Sequence, residues 1–279
     1  MHRFASKAAL LAVVVASSGC GGSEVADRPA TLTWEEFKAA AYVEPDTGVF
    51  ITNGDELAET EEELRAQFDR YASQAQAVAD GVAEREQPLI VNRVNGRDDQ
   101  WSPGTNAGQA MNLTYCVSSG SFGSRYATVV SAMTNAAAAW EGTARVNFVH
   151  LSQYDGSCSN KSPVVFNVRQ VRTPQYLARA FFPSTSRSGR EILISTSSFG
   201  NINPWTLTGV LRHELGHTIG FRHEHTRPEA AACFEDNSWR ALTAYDSSSV
   251  MHYPQCNGTQ TGDLVLTSLD KTGARALYP

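Results

Sequence analysis

The sequence predicts a domain of the α+β class, because strand-like and helix-like patterns of apolar residues both occur along it. Short runs with the length and composition of β-strands are found at 111–117, 146–151, 164–168 and 192–195. Longer stretches with the period of an amphipathic helix lie between and after these runs. The chain has 279 residues, of which 42% are hydrophobic, so it can bury a sizeable core in one or two domains.

Two long helices are expected in this domain. The first spans 122–141, an alanine-rich stretch whose apolar positions include Met133 and Trp140. The second begins with Asn203 as the N-cap and Pro204 as the first helical residue. Its apolar stripe, at i, i+4 spacing, consists of Leu207, Leu211, Leu215 and Ile219.

The second helix carries two histidines on the face opposite to its apolar stripe. His213 and His217 are four residues apart, so their side chains project one turn above the other. Gly220 can take the left-handed conformation that ends a helix, and the resulting turn can bring His223 back as a third ligand. Three imidazoles suit Zn²⁺ and leave a position for water, as in catalytic zinc sites. Glu214 would then accept a proton from that water as the general base.

Two other interpretations compete with this catalytic zinc site. A purely structural zinc site would need a fourth strong protein ligand. Zinc ligation by cysteines is disfavoured, since Cys116, Cys158, Cys233 and Cys256 include no C-x₂-C spacing. These four are all the cysteines apart from Cys20 near the N-terminus, and an even number in an exported chain is typical of two disulfides. Of the three pairings, Cys233–Cys256 is favoured because both cysteines flank the same site-forming segment, which leaves Cys116–Cys158.

The stretch 213–223 resembles the metzincin zinc-protease signature H-E-x-x-H-x-x-G-x-x-H at every fixed position. The stretch 249–253 matches the S-x-M-H-Y Met-turn of astacins. Similarity to astacin-like metzincins implies a zinc-dependent endopeptidase that hydrolyses peptide bonds of extended protein substrates. It also implies a metzincin-type fold, with a twisted, mostly parallel sheet, an antiparallel edge strand, two long helices and a small C-terminal lobe. The alternative function is a non-catalytic, surface-anchored adhesion module that retains this fold.

The resemblance also implies roles for residues outside the zinc helix. Met251 would pack beneath the metal, and Tyr253 would bind zinc and then stabilise the oxyanion of the reaction. The stretch 177–183 resembles the metzincin edge strand that pairs with substrate, although an ordinary edge strand explains it equally well. Glu224 matches an astacin position that ties down the mature N-terminus. Three other histidines of the predicted domain, His150, His225 and His252, are expected to be structural.

The N-terminus predicts export. Arg3 and Lys7 form a basic region before the apolar run 8–16, which is too short to span a bilayer. Small residues leading into Cys20 resemble a bacterial lipoprotein signal over 1–20, and a plain signal peptide is the alternative. The expectation is a protein anchored to a bacterial membrane only through a lipid on Cys20, at the periplasmic or cell surface, or released after processing.

The segment 21–97 is expected to be a tether and a helical pro-segment, followed by the metalloprotease domain over 98–279. It predicts a capped helix at 33–41, a strand at 49–52 and one long acidic helix at 56–79. The stretch 50–55 resembles the F-x-G-D aspartate switch of astacins, with two residues inserted. The resemblance implies that the carboxylate of Asp55 would bind the zinc in place of the catalytic water. The simpler interpretation, which the sequence favours, is that Asp55 caps the acidic helix.

The charge composition limits the classes of binding partner that the sequence favours. The net charge of −6 gives no electrostatic basis for binding nucleic acid. Eight acidic residues against two arginines in 55–80 account for this excess, so the rest of the chain is near neutral. The expected partner is a protein or peptide substrate and the expected cofactor is Zn²⁺. Oligomeric state, calcium binding and cleavage preference are left open by the sequence.

Overall fold

A computed structural model describes residues 32–79, 89–102, 109–260 and 262–279. The helices are α1 (Trp34–Ala40), α2 (Glu61–Ala79), α3 (Ser119–Phe122), α4 (Tyr126–Glu141), α5 (Leu207–Thr218) and α6 (Ser268–Leu277). The strands are β1 (Tyr42–Val43), β2 (Phe50–Thr52), β3 (Glu56–Ala58), β4 (Ile90–Val94), β5 (Arg97–Asp98), β6 (Leu113–Val117), β7 (Phe148–His150), β8 (Phe166–Val171), β9 (Ala178–Arg179), β10 (Glu191–Ser195) and β11 (Trp239–Ala241). No helix in these ranges is long and apolar enough to cross a membrane. The predicted signal peptide, 1–20, lies outside the described residues.

Five strands form the main sheet, in the order β7-β6-β8-β10-β9. The pairings of β6 with β7, β6 with β8 and β8 with β10 are parallel. Only β9, at the edge, runs antiparallel to its neighbour. Helices and strands therefore share one domain, and the predicted α+β class is confirmed. The predicted strands are all present, with bounds that differ by a few residues.

Helices α4 and α5 pack against each other over the main sheet. The indole Nε1 of Trp140 in α4 donates to the carbonyl of Arg212 in α5 at 2.9 Å. Leu211, Leu215 and Ile219, from the predicted stripe, are fully buried in the core. This packing fixes the position of α5, because burial of large apolar side chains is the main stabilising contribution in such a core.

Helix α5 begins later than the sequence predicts but ends where it predicts. Asn203 and Pro204 lie in a preceding turn, whereas Thr206 is the N-cap and accepts the Gly209 N–H at 3.0 Å. At the other end Gly220 has a φ of +97°, and its N–H donates to the carbonyl of His217 at 2.9 Å. The Phe221 N–H donates to the carbonyl of Gly216 at 3.0 Å. These two bonds make a Schellman cap, which turns the chain sharply after the helix.

Residues 32–79, called here the leading segment, fold onto the rest of the chain. Strands β1, β2 and β3 form a small antiparallel sheet, and Ile51 from this sheet packs against Tyr176 and Leu193. The predicted helix at 33–41 is confirmed by α1 and its capping box. The predicted helix at 56–79 is wrong at its start, because β3 pairs with β2 and α2 begins only after Thr60. The hydroxyl of Thr60 accepts the Glu63 N–H at 3.1 Å.

Residues just before the expected domain boundary at 98 pack into the domain that follows. Strand β4 pairs with β11, and the Arg222 N–H donates to the carbonyl of Ile90 at 3.0 Å. Leu89 packs so closely on α6 that a Cβ at Gly273 would lie 2.6 Å from its side chain. Both predicted disulfides are present, Cys116–Cys158 and Cys233–Cys256.

Candidate metal centre

Three buried histidines, called here the histidine triad, converge on one point. His213 and His217 come from successive turns of α5, and His223 follows the turn at Gly220, as the spacing predicts. The Nε2 atom of His213 lies 3.2 Å from that of His217 and 3.3 Å from that of His223.

The other nitrogen of each ring is held by an acceptor. Nδ1 of His213 lies 2.7 Å from the carbonyl oxygen of Val250, and Nδ1 of His217 lies 2.8 Å from that of Phe221. A carbonyl can only accept, so both Nδ1 atoms carry the proton and both Nε2 atoms present lone pairs. Burial lowers the pKa of His217 to about 4, which keeps its ring neutral at ordinary pH.

This donor set fits a zinc ion. Lone pairs held 3.2–3.3 Å apart repel one another unless a cation lies between them. Tetrahedral ligands of zinc, at bonds of about 2.05 Å, are separated by roughly 3.3 Å. Metal-bound histidines typically donate their other N–H to a carbonyl or carboxylate, which is the arrangement seen here.

Glu214 lies inside the same buried region. It neighbours His213 on α5, and its Oε2 atom has no hydrogen-bond partner among the described residues. Burial, and then the negative charge of Asp55, raise the pKa of Glu214 well above its usual range. A buried carboxylate oxygen without a partner is rare, and it marks a position where another molecule can be received.

Asp55, from the turn between β2 and β3, reaches the histidine triad. Its Oδ1 lies 3.1 Å from Nε2 of His223, and its Oδ2 lies 3.4 Å from Nε2 of His213. Burial acts to raise the pKa of Asp55, but His223 and the two helical histidines hold it well below its usual range. The favoured interpretation of Asp55 as a helix cap is therefore wrong, because Thr60 caps α2 and Asp55 points into the site.

Tyr253 completes this side of the site. Its hydroxyl donates to Oδ2 of Asp55 at 2.5 Å, and its ring centroid lies 4.5 Å from that of His223. Gly54 allows this approach, since it has a φ of +100° and a Cβ there would lie 3.0 Å from the Tyr253 hydroxyl. Burial, followed by the charges of Asp55 and Glu214, raises the pKa of Tyr253 well above its usual range.

The Met-turn packs against the helix that carries two of the triad histidines. Met251 is buried, and its sulfur is so close to Gly216 of α5 that a Cβ at this glycine would lie only 2.4 Å from it. Asp270 in the first turn of α6 accepts the Val250 N–H at 2.9 Å and the Ser249 hydroxyl at 2.6 Å. Because the Val250 carbonyl accepts from His213, this carboxylate fixes the orientation of a triad ring through one intervening residue.

The sequence did not identify Glu235, which is the acceptor for the third triad histidine. Its Oε1 lies 2.6 Å from Nδ1 of His223 and 3.2 Å from Nε2 of His225. Nδ1 of His225 accepts the Tyr253 N–H, so its Nε2 carries the proton that is donated to Glu235. His223, His225 and Glu235 are close enough to hold a metal, but their contacts are already used in these hydrogen bonds. The only sequence signal for Glu235 was its position two residues after Cys233.

The leading segment makes a second charged contact beside Asp55. Glu56 forms two bonds of 3.1 Å to the guanidinium of Arg222, which also contacts Glu235 and Asp236. Burial raises the pKa of Glu56 to about 7. Consecutive acidic residues of the segment therefore contact a triad histidine and the arginine that precedes it.

Three other residues that the sequence singled out have their hydrogen-bond partners outside the metal centre. His150 is hydrogen-bonded to Asp155, and His252 contacts the hydroxyl of Tyr245 at 2.8 Å. Glu224 is buried, accepts the Asp246 N–H at 3.2 Å, and has its pKa raised well above the usual range by burial.

The expected edge strand lies next to the metal centre. Strand β9 packs against α5, and Phe182, just beyond this strand, contacts the His217 ring edge-on at 5.5 Å between centroids.

The chain matches a known protein family and is similar to solved protein structures. The model of a family described as dual-action HEIGH metallo-peptidases matches residues 81–278. A solved structure of myroilysin is 17% identical, with a TM-score of 0.47, covering 68% of this chain and 98% of the other. A hatching enzyme zinc-protease of the medaka fish Oryzias latipes, high choriolytic enzyme 1, is 21% identical, with a TM-score of 0.42, covering 64% of this chain and 94% of the other. No curated protein matches the chain.

Proposed function

The chain belongs to the dual-action HEIGH metallopeptidase family and is a zinc-dependent endopeptidase, and on that premise we propose which of its residues carry the activity. His213, His217 and His223 are the zinc ligands. The observation that carries this assignment is the set of three facing Nε2 atoms, with each Nδ1 held by an acceptor. Zinc bound there would act as a Lewis acid that polarises the scissile carbonyl and lowers the pKa of a water molecule.

Glu214 is proposed as the general base, and it later returns the proton to the leaving amine. Its Oε2 atom is buried and has no hydrogen-bond partner among the residues that the structure describes, so a proton acceptor is held there away from bulk water. Tyr253 is proposed to donate its hydroxyl hydrogen to the negative charge that develops on the substrate carbonyl oxygen. That hydroxyl donates to a carboxylate oxygen of Asp55 beside the triad, which supports this role.

The edge strand β9 is proposed to bind substrate by strand addition. It pairs with β10 on one side only, among the residues that the structure describes. Its free edge offers backbone N–H and C=O groups to an extended peptide. The contact between Phe182 and His217 supports this placement, because a peptide lying along the strand would then pass the triad.

The leading segment is proposed to inhibit the enzyme in the intact chain. The carboxylate of Asp55 lies 3.1–3.8 Å from the three Nε2 atoms of the triad, where it would compete with water and substrate for the metal. The catalytic domain is proposed to begin before Leu89 rather than at 98, since β4 pairs with β11 and the family match begins at residue 81. Export and lipidation of Cys20 are also proposed; conversion of Cys20 to Ser should release the protein from the membrane fraction of the producing cell.

The base assignment is tested with Glu214→Ala in the full chain that also carries Asp55→Ala, so that the proposed inhibition does not mask the loss. The Asp55→Ala chain serves as the wild-type reference. We expect zinc content, measured by mass spectrometry, to equal that of the wild type, while cleavage of a denatured protein substrate is lost. Glu62→Ala on the exposed face of α2 removes a carboxylate far from any buried contact and serves as the control. Near wild-type turnover of Glu214→Ala, at equal zinc content, would show that another group accepts the proton.

The inhibition is tested with Asp55→Ala against Asp46→Ala, an exposed aspartate of the same segment. Loss of the Asp55 carboxylate should raise the rate of cleavage by the intact chain at least about tenfold, which corresponds to ~1.4 kcal/mol of lost competition. Asp46→Ala should leave the rate unchanged. Equal rates for the two variants would mean that Asp55 does not restrict the site.

A further inference from the structure

Two arginines occupy matching positions on the main sheet but have different partners. Arg169 on β8 and Arg179 on β9 both lie opposite Leu193 of β10, one on each side of it. Residues aligned across a sheet project from the same face. Arg169 is paired within the sheet, by bonds of 3.0 and 3.1 Å to the carboxylate of Glu191. Arg179 has no such partner in the sheet.

The carboxylate that pairs with Arg179 comes from the leading segment. Nε and Nη2 of Arg179 donate to the two oxygens of Glu44 at 3.0 and 2.7 Å. Tyr176 donates its hydroxyl to Oε1, and Thr47 donates to Oε2 at 2.7 Å. Arg179 is only 1% exposed and Glu44 4%. Two parallel bonds in this geometry are how arginine recognises a carboxylate.

Strand β9, which carries Arg179, lies beside the proposed active site. The strand packs against α5, the helix that carries His213, Glu214 and His217. Phe182, which contacts His217, is three residues further along the chain. Three extended residues span about 10 Å. A peptide bound along this edge would therefore present a side chain to Arg179 two or three residues away from the bond to be cleaved.

Displacement of the leading segment leaves this arginine without its anion. A buried charge that loses its partner is strongly unfavourable, so its site favours a new carboxylate. Nη1 of Arg179 has no hydrogen-bond partner within the described ranges and is free for a further acceptor. Once Glu44 has left, the hydroxyl of Tyr176 can also donate to the carboxylate that replaces it.

We propose that Arg179 and Tyr176 form a carboxylate-binding subsite of the substrate cleft, which Glu44 fills in the intact chain. Its ligand is a carboxylate of the peptide substrate, either an acidic side chain or the C-terminal group. The leading segment thus blocks two positions at once, the metal centre with Asp55 and this subsite with Glu44. The inference rests on the proposed function, because it needs substrate to lie along β9.

The experiment uses the full chain carrying Glu44→Ala and Asp55→Ala, called here the opened chain. Its kcat/KM is measured on peptides that differ only by Glu or Gln at each position near the cleavage site, all with amidated C-termini. A second pair carries Gln throughout and ends in a free acid or an amide. The peptide with Glu at one of these positions, or the peptide that ends in a free acid, should have a kcat/KM roughly 10- to 100-fold higher than that of its Gln or amide counterpart. An increase of this size is typical of hydrogen bonds to charged groups.

Adding Arg179→Gln should bring that ratio of kcat/KM values to about one, whereas Arg169→Gln should preserve it. Using the ratio removes any general loss of activity. A ratio near one in the opened chain, or a ratio that survives Arg179→Gln, overturns the proposal. If the opened chain unfolds, the isosteric Glu44→Gln in the otherwise intact chain replaces it, with the same expected ratios.

A binding measurement separates this proposal from the proposed function. If no peptide is cleaved, the endopeptidase assignment of the site residues fails, and the subsite is judged by fluorescence anisotropy of labelled Glu and Gln peptides with the opened chain. Binding of the Glu peptide at least about tenfold tighter, lost in Arg179→Gln, supports the subsite. Equal binding of the two peptides overturns it.

Discussion

The buried histidines of this protein fall into two groups that differ in where their ring nitrogens point. In the triad, each ring has one nitrogen bound to a protein acceptor and the other facing the remaining two rings. In His225 and His252 both nitrogens contact protein partners. Burial lowers the pKa of His225 to about 4, so it is as neutral as a ligand would be. We therefore propose that unshared lone pairs, rather than burial or neutrality, distinguish the metal ligands from the other histidines.

Removal of a triad ring should give the largest effect. Structural zinc sites with four ligands bind with roughly 10–16 kcal/mol, so one ligand contributes about 3 kcal/mol. We expect His217→Ala to weaken zinc binding on the order of a hundredfold or more and to abolish cleavage. His252→Ala is the matched control from the second group and should retain zinc. Competition with a fluorescent chelator measures both affinities, and equal affinities would erase the distinction between the groups.

Tyr253→Phe sharpens the comparison by leaving all three ligands in place. Removing one donor from an oxyanion site typically costs about 10²–10³ in turnover. We expect a loss of that size in kcat on a peptide substrate, with an unchanged zinc content. An unaltered kcat would remove Tyr253 from the reaction, and loss of zinc would make it an essential ligand.

The carboxylate of Glu235 is where the two groups of histidines meet. It accepts from triad His223 and from His225. Loss of an outer partner of a metal-bound histidine typically lowers metal affinity by about 10- to 100-fold, and we expect this for Glu235→Ala. Glu229→Ala, which breaks a partly exposed ion pair with Arg227, should not change zinc affinity. If both variants bind zinc like the wild type, Glu235 does not orient His223.

His225→Gln should have the smallest effect. Its ring contributes one donated bond to Glu235 and one accepted from the Tyr253 N–H, and glutamine can make at least one of these. We expect zinc affinity within about threefold of the wild type, measured by the same chelator competition. A hundredfold loss would place His225 among the ligands and contradict the grouping.

The sequence predicts the parts of this site that depend on local periodicity. The positions of His213 and His217 follow from the helical repeat, and the return of His223 follows from one glycine whose cap has the expected geometry. Both disulfides were also predicted correctly. The start of α5 was not: Thr206 caps the helix, and its hydroxyl also donates to Asp263, a partner 57 residues away that local periodicity does not reveal.

Contacts between residues distant in the chain were beyond this reasoning. Glu44 and Arg179 are separated by 135 residues, and Tyr253 and Asp55 by 198. Neither pair belongs to a repeating pattern, so for Glu44 and Arg179 the sequence carries no signal of proximity, and for Asp55 and Tyr253 the only signal is the resemblance to astacin motifs. Asp55 illustrates this limit. From the sequence, the helix-cap interpretation outweighed the aspartate-switch motif, because the motif match contains two inserted residues. The packing of the β2–β3 turn against Tyr253 is what distinguishes the two interpretations.

The most direct test of the account is zinc-edge X-ray absorption on the purified full chain and on its Asp55→Ala variant, with metal content measured on the same samples. We predict one zinc per chain, bound by three imidazoles in both proteins, with a carboxylate oxygen in the wild type that water replaces in the variant. Sulfur in the coordination sphere, fewer than three imidazoles, or a zinc content that survives loss of all three triad histidines would contradict it.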